Sequence, residues 1–154
     1  MFDFVVTLWL LVMSSVARHA PVRRIETIAV TISTVTQDPY EQAVLGAISY
    51  YETTFDRGGI HFGVSSFRGD RNNIMACARY ALSIIRNARS MCPNSIPGQL
   101  GFYHHGRGCI PDEYSTREAA TVVGFLKQYD HYRSMMEFLV NDSDGNVLAD
   151  NEED

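Results

Sequence analysis

The chain has 154 residues, 45% apolar and 20% charged, which suits one globular domain with a sizeable core and excludes a disordered or fibrous chain. Its net charge of -5 is gathered at one end: six of the 18 acids lie in the last fourteen residues, leaving 12 acids against 13 bases elsewhere. A near-neutral body offers no strong basic field for phosphates, so nucleic acid is not an expected partner.

In chain order, the first apolar run goes from Phe4 to Met13, too short to span a bilayer unaided. It reads as a packed N-terminal helix. The alternative is a signal-like segment over 1–17 with Ser15-Val16-Ala17 as its cleavage site, against which stand Asp3 and the lack of a preceding basic region. Pro21 suits a helix start. Over 22–36, Ile25, Ile28, Ala29, Ile32 and Val35 share one helical face. The alternation of Ile28, Val30 and Ile32 among β-branched residues leaves a strand open, but the helical period is preferred.

The next helix has clearer signals. Asp38 is an N-cap, Pro39 fits the first helical position and Glu41 completes an Asp-x-x-Glu capping box. The stripe Val44, Ala47, Ile48, Tyr51 and Phe55 carries this helix to about Phe55. Gly58, Gly59, Gly63 and Gly69 make 56–70 a structured loop, with Asp56 as a turn residue and Asp70 as the N-cap of the succeeding helix. That long helix, over 72–90, places Ile74, Ala78, Leu82 and Ile85 together, and Pro93 and Pro97 end it. "PGQLGFYHHG" predicts a short helix closed by Gly106. Ser115 and Glu118 read as a second capping box, opening a helix with Ala119, Val122, Val123, Leu126 and Tyr129 inward, to about Leu139. The expected organisation is mainly α: a helical extension over 1–37, a domain over 38–139 and a solvated acidic tail over 140–154.

Cys92 and Cys109 flank a loop and could be joined in an oxidising compartment, with free thiols the alternative; Cys77 reads as a small buried hydrophobe. Cys92, His104, His105 and Cys109 together suggest zinc, but the spacing matches no common finger. Neighbouring histidines on a helix also diverge by about 100°. No metal or cofactor is expected.

One residue stands out against this frame. Glu52 lies four residues after Ile48 and eight after Val44, where the buried stripe should continue, and aromatics lie on both sides. It also falls in the last helical turn, where the helix dipole disfavours a carboxylate. Desolvation, with the dipole as a lesser contribution, is expected to raise its pKa, as a proton donor needs. A boundary glutamate turned to solvent is the plainer reading of such a residue.

The surrounding residues carry a resemblance. Glu52-Thr53-Thr54-Phe55 resembles the Glu-Ser-x-Phe motif of the soluble lytic transglycosylase and goose-type lysozyme-like family, helical enzymes that cleave murein. "HFGVSSF" is similar to that family's Gly-Leu-Met-Gln segment, with Gly63 and Val64 on its first two positions. "FYHHG" is similar to Ala-Tyr-Asn-x-Gly, with Tyr103 on the tyrosine that faces the catalytic glutamate and Gly106 on the closing glycine. Order and rough spacing agree over about residues 38–130. Two positions depart from the pattern: Ser66 stands where Gln is usual and His104 where Asn is usual.

The resemblance implies a lysozyme-like helical domain acting on peptidoglycan glycan strands at the bacterial wall, in a bacterial or bacteriophage setting. Glu52 is then the catalytic acid and base, and Tyr103 orients it or the sugar. Thr53, Phe55, His61, Phe62, Gly63, Val64, Ser66, Phe102 and His104 line the substrate. Cleavage of the bond between N-acetylmuramic acid and N-acetylglucosamine needs a proton on the glycosidic oxygen. The transglycosylase route needs only one carboxylate; a hydrolase would need a second, for which Asp56 and Asp70 are the candidates. The competing class is a non-catalytic lysozyme-like part of a larger assembly such as a virion, binding wall or particle proteins through the apolar N-terminus and the six methionines.

Overall fold

A computed structural model describes residues 3–53, 55, 62–64 and 66–146. The protein is mainly α, with six helices and no strand among the described residues. They are α1 (Phe4–Val16), α2 (Val22–Val35), α3 (Pro39–Thr53), α4 (Ile74–Met91), α5 (Ile96–His105) and α6 (Glu113–Asn146). Helix α6 runs along α3, α5 and α1, and α2 packs on α1, α3 and α4.

The first two helices belong to the same buried cluster as the later ones. Trp9, fully buried, donates from Nε1 to Gln42 Oε1 at 2.7 Å and stacks on Tyr129 of α6, ring centroids 4.9 Å apart. Gln42 in turn donates to the Thr36 carbonyl at 2.7 Å, so this buried amide is used at both ends. Asp3 caps α1 by accepting from Val5 N. Helix, not strand, is the state of 22–35, and Ile25, Ile28, Ala29 and Ile32 are its buried face. A solvent-facing Val30 and a buried Thr31 fit the 3.6-residue period and break the alternation.

Several local expectations shift register. Asp38 caps α3 through Tyr40 N at 2.8 Å, but Glu41 does not close the box. It accepts from Thr36 Oγ1 at 2.5 Å and forms a forked pair with Arg86 of α4, at 2.9 and 3.0 Å. The cap of α4 is Asn73, accepting from Ala76 N, while Asp70 holds the turn before it through Asn72 N. Helix α6 starts two residues before Ser115. Asp112 accepts from Ser115 N at 2.7 Å and Ser115 Oγ accepts from Asp112 N at 2.8 Å, so the capping box is Asp112–Ser115 and Glu118 plays no part in it. On α6 the buried face is Ala119, Val122, Phe125 and Tyr129; Val123 is exposed. The helix continues to Asn146, so residues 140–146 are helical where a solvated tail was expected; 147–154 lie outside the described residues.

Helix α5 ends as read, with Gly106 in the left-handed conformation (φ 64°). A disulfide joins Cys92, at the end of α4, to Cys109 beyond α5; Cys77 is free and buried. Those two sulfurs are thereby withdrawn from any zinc site. The strap beyond α5 lies directly on the helix: a side chain at Gly101 would run into the Ile110 carbonyl.

Candidate functional site

Four segments converge where α3 ends. The last turn of α3 brings Glu52, a short stretch of loop brings 62–64, the last turn of α5 brings Tyr103 and His104, and the first turns of α6 bring Tyr114 and Glu118. Beside them lies an open groove of about 290 Å³, lined by Gly63, Val64, Ser66, Ile84, Phe102, Tyr103, His104 and Gly106. The two later motif segments therefore share one groove wall.

Glu52 does not continue the buried stripe. It is exposed, because α3 stops one residue later and its last turn has left the core. It is nonetheless in contact. A Cβ built on Gly63 would lie 2.6 Å from Glu52 Cδ, so the loop backbone passes directly over this side chain. Gly63 has a φ of 63°, a left-handed conformation that glycine adopts without strain. The Tyr114 hydroxyl lies 3.4 Å from Glu52 Oε1, a long and weak hydrogen bond.

The Tyr103 hydroxyl is used differently from expectation. It donates to the Phe62 carbonyl at 2.5 Å, tying α5 to the loop, and reaches Glu52 only through space. Burial, with the Glu118 and Glu52 charges, pushes the Tyr103 phenol well above its ordinary range, and the same causes act on Tyr114. Both stay protonated donors at any physiological pH.

Two aromatics named as substrate contacts are core residues instead. Phe55 and Phe62 are only 2% and 1% exposed. Phe55 reaches the core by adopting a positive φ of 57°, unusual for a bulky residue, which folds its ring back towards Tyr50 (centroids 5.5 Å apart). Thr53 is half-buried, its hydroxyl donating to the Ser49 carbonyl at 2.8 Å. Ser66 is exposed, 3.0 Å from the Tyr80 hydroxyl. His61 and Asp56 lie outside the described residues. Asp70 is exposed in its turn before α4.

Two residues that the sequence reading did not assign to the site complete it. Glu118 is fully buried and its Oε2 meets His104 Nε2 at 2.9 Å. Tyr114 stands between Tyr51 and His104, with ring centroids 5.4 and 5.2 Å away, both edge to face. A signal exists in the sequence: 114, 118, 122, 125 and 129 form one helical stripe, but the same Glu118 also satisfies a capping-box pattern. Burial alone would lower the His104 pKa. The Glu118 hydrogen bond and charge, with Glu52 and Asp112, outweigh it, and the net direction is up. Burial pushes the Glu118 carboxyl up, partly offset by His104. The two groups therefore titrate as one coupled pair sharing a proton. His105, exposed, pairs instead with Asp112 at 2.7 Å.

Among the described residues no cluster of three or more His, Cys, Asp or Glu side chains could hold a metal ion. Among them, too, no helix is long and apolar enough to cross a membrane. Compared with protein-family models, curated proteins and solved structures, the chain matches none.

Proposed function

We propose that the groove binds a glycan strand and that the protein cleaves peptidoglycan as a lysozyme-like lytic transglycosylase, with Glu52 as proton donor and acceptor. The observation that carries this reading is the meeting of the Glu52 carboxylate with the backbone of Gly63, which lines the groove together with Tyr103 and His104. Those are the three segments through which the sequence resembles the family.

Glu52 is open to solvent without a ligand, so the shielding that a proton donor needs comes from the substrate. A sugar seated in the groove excludes water from the carboxylate and strengthens its interactions. Glu52 then protonates the glycosidic oxygen and takes the proton back from the muramoyl C6 hydroxyl, giving a 1,6-anhydro product. Charge develops as an oxocarbenium-like ring. Protonated Tyr114 steadies the carboxylate, and Tyr103 holds the loop that covers it.

The test is digestion of purified peptidoglycan by wild type and Glu52→Gln, with mass spectrometry of the products. Wild type should release anhydro-muropeptides, and the variant should lose activity by on the order of 10²- to 10⁴-fold. Wild type that releases nothing would sink the enzymatic reading. The second reading, a non-catalytic lysozyme-like part of a virion or wall assembly, draws on the far end of α6. There Met135, Phe138, Leu139 and Val140 are 49%, 69%, 62% and 55% exposed.

A further inference from the structure

Glu118 has a second oxygen, Oε1, that is buried and has no hydrogen-bond partner among the described residues. A fully buried carboxylate with one oxygen unpaired is costly, and natural proteins retain few such groups. Packing alone gives no reason for it: an apolar side chain would fill the same stripe of α6 between Tyr114 and Val122. The reason lies in what the other oxygen does. It takes Nε2 of His104, the groove-wall residue with only 14% of its side chain exposed. Nδ1 on the opposite side of the ring has no protein partner among the described residues.

We propose that Glu118 is a positioning residue for the groove: it grips Nε2 and so fixes the His104 ring with Nδ1 left to hydrogen-bond a hydroxyl group of a bound N-acetyl sugar. A histidine with a carboxylate on one nitrogen has its orientation and proton placement set from behind, which leaves the other nitrogen for the ligand. Burial opposes the charged His104 ring, and three carboxylates facing it favour the imidazolium. Glu118 comes from α6, Glu52 from α3 and Asp112 from the strap before α6, while Tyr103, His105 and Tyr114 present their rings. No cation is among its charge partners. The ligand class rests on the proposed function; the grip of Glu118 on His104 does not.

Two readouts separate the claims. In wild type, NMR titration of the His104 ring should give a pKa above the ordinary 6.5. In Glu118→Gln it should fall by about one unit or more, and binding of an N-acetylglucosamine tetramer should weaken about tenfold. Glu118→Asp should recover part of both. His104→Gln, which leaves Glu118 in place, should weaken binding as much. An ordinary or lowered wild-type His104 pKa overturns the proposal even where Glu118 variants fail to fold. So does a folded Glu118→Gln that titrates and binds like wild type, whether or not peptidoglycan is cut. If wild type binds the tetramer through His104 yet cleaves nothing, the catalytic reading fails and this one stands.

Discussion

Gly63 and Glu52 are in contact through the one position on Gly63 where a side chain would sit: an added Cβ would lie 2.6, 2.7 and 2.9 Å from Glu52 Cδ, Oε1 and Cγ. The backbone of Gly63 is also left-handed. Gly63→Ala therefore carries two penalties, strain at a positive φ and displacement of the carboxylate. The expected loss of stability is about 1–2 kcal/mol. Because Glu52 is exposed and can swing away, the larger effect should fall on the proposed glycan cleavage. Thermal denaturation and product release measured on the same preparation check this. An alanine variant with wild-type activity would show that Glu52 need not sit against the loop.

Tyr103→Phe removes the single hydrogen bond from α5 to the Phe62 carbonyl while keeping the ring. That carbonyl belongs to a residue 1% exposed, so it loses its partner with little water to replace it. The expected cost is about 1–3 kcal/mol. Amide hydrogen exchange should quicken around residues 62–64, and activity should fall because the loop over Glu52 loosens. Unchanged exchange there would mean that something else holds the loop.

Reduction should act at the same place from the other side. The Cys92–Cys109 bond, 17 residues apart in sequence, encloses α5 and its groove-wall residues Tyr103 and His104. Chain-entropy reasoning gives about 3 kcal/mol for a loop of that length. A thiol reductant, or paired Cys92→Ser and Cys109→Ser substitutions, should lower the stability by that amount. Glycan binding should weaken as well. Equal denaturation midpoints with and without reductant would show that the strap over Gly101 holds α5 by packing alone.

How far the sequence reading reaches depends on how local each signal is. The α3 start at Asp38-Pro39 and the α5 stop at Gly106 are set by residues in contact with their own helix ends, and both are legible. The α6 start is misplaced because Ser115-x-x-Glu118 matches the usual box pattern, whereas the fold uses Asp112 and Ser115. Only the tertiary partner His104 decides that Glu118 points inward. Glu41 misleads in the same way, its box being overridden by Arg86, 45 residues away. Phe55 is buried, as its place in the apolar stripe suggests, but it reaches the core from beyond the end of α3 through a backbone conformation that its residue type disfavours, which the sequence does not show. The site is visible in the sequence as three segments; the buried carboxylate behind it is not.

The pH dependence of stability should have two limbs of opposite sign. Glu41, Asp38 and Asp112 have carboxyl pKa values held below their ordinary range. For Glu41 the Arg86 hydrogen bond is the main cause. For Asp38 burial opposes, but the Arg89 bond and the Tyr40 backbone bond outweigh it. For Asp112 the Ser115 backbone bond leads, with His105 behind it. A depressed carboxyl contributes stability that is present above its unfolded value, 3.8 or 4.5 for these groups, and is lost as pH falls through the folded value. His104 and Glu118 are both raised in the folded state. The folded protein holds their shared proton more tightly than the unfolded chain does. Their coupled contribution is therefore lost as pH rises through the raised folded value of His104, from 6.5 upward. Melting temperature measured against pH should fall on both sides of a weakly acidic maximum. Glu41→Gln should flatten the acid limb and lower the stability at the maximum by about 1–2 kcal/mol, a modest figure because Arg86 is largely solvated. His104→Gln should flatten the alkaline limb and leave the acid limb in place. A single limb, or one variant that removes both, would show that the two ion pairs are not the independent units their separation in the fold makes them.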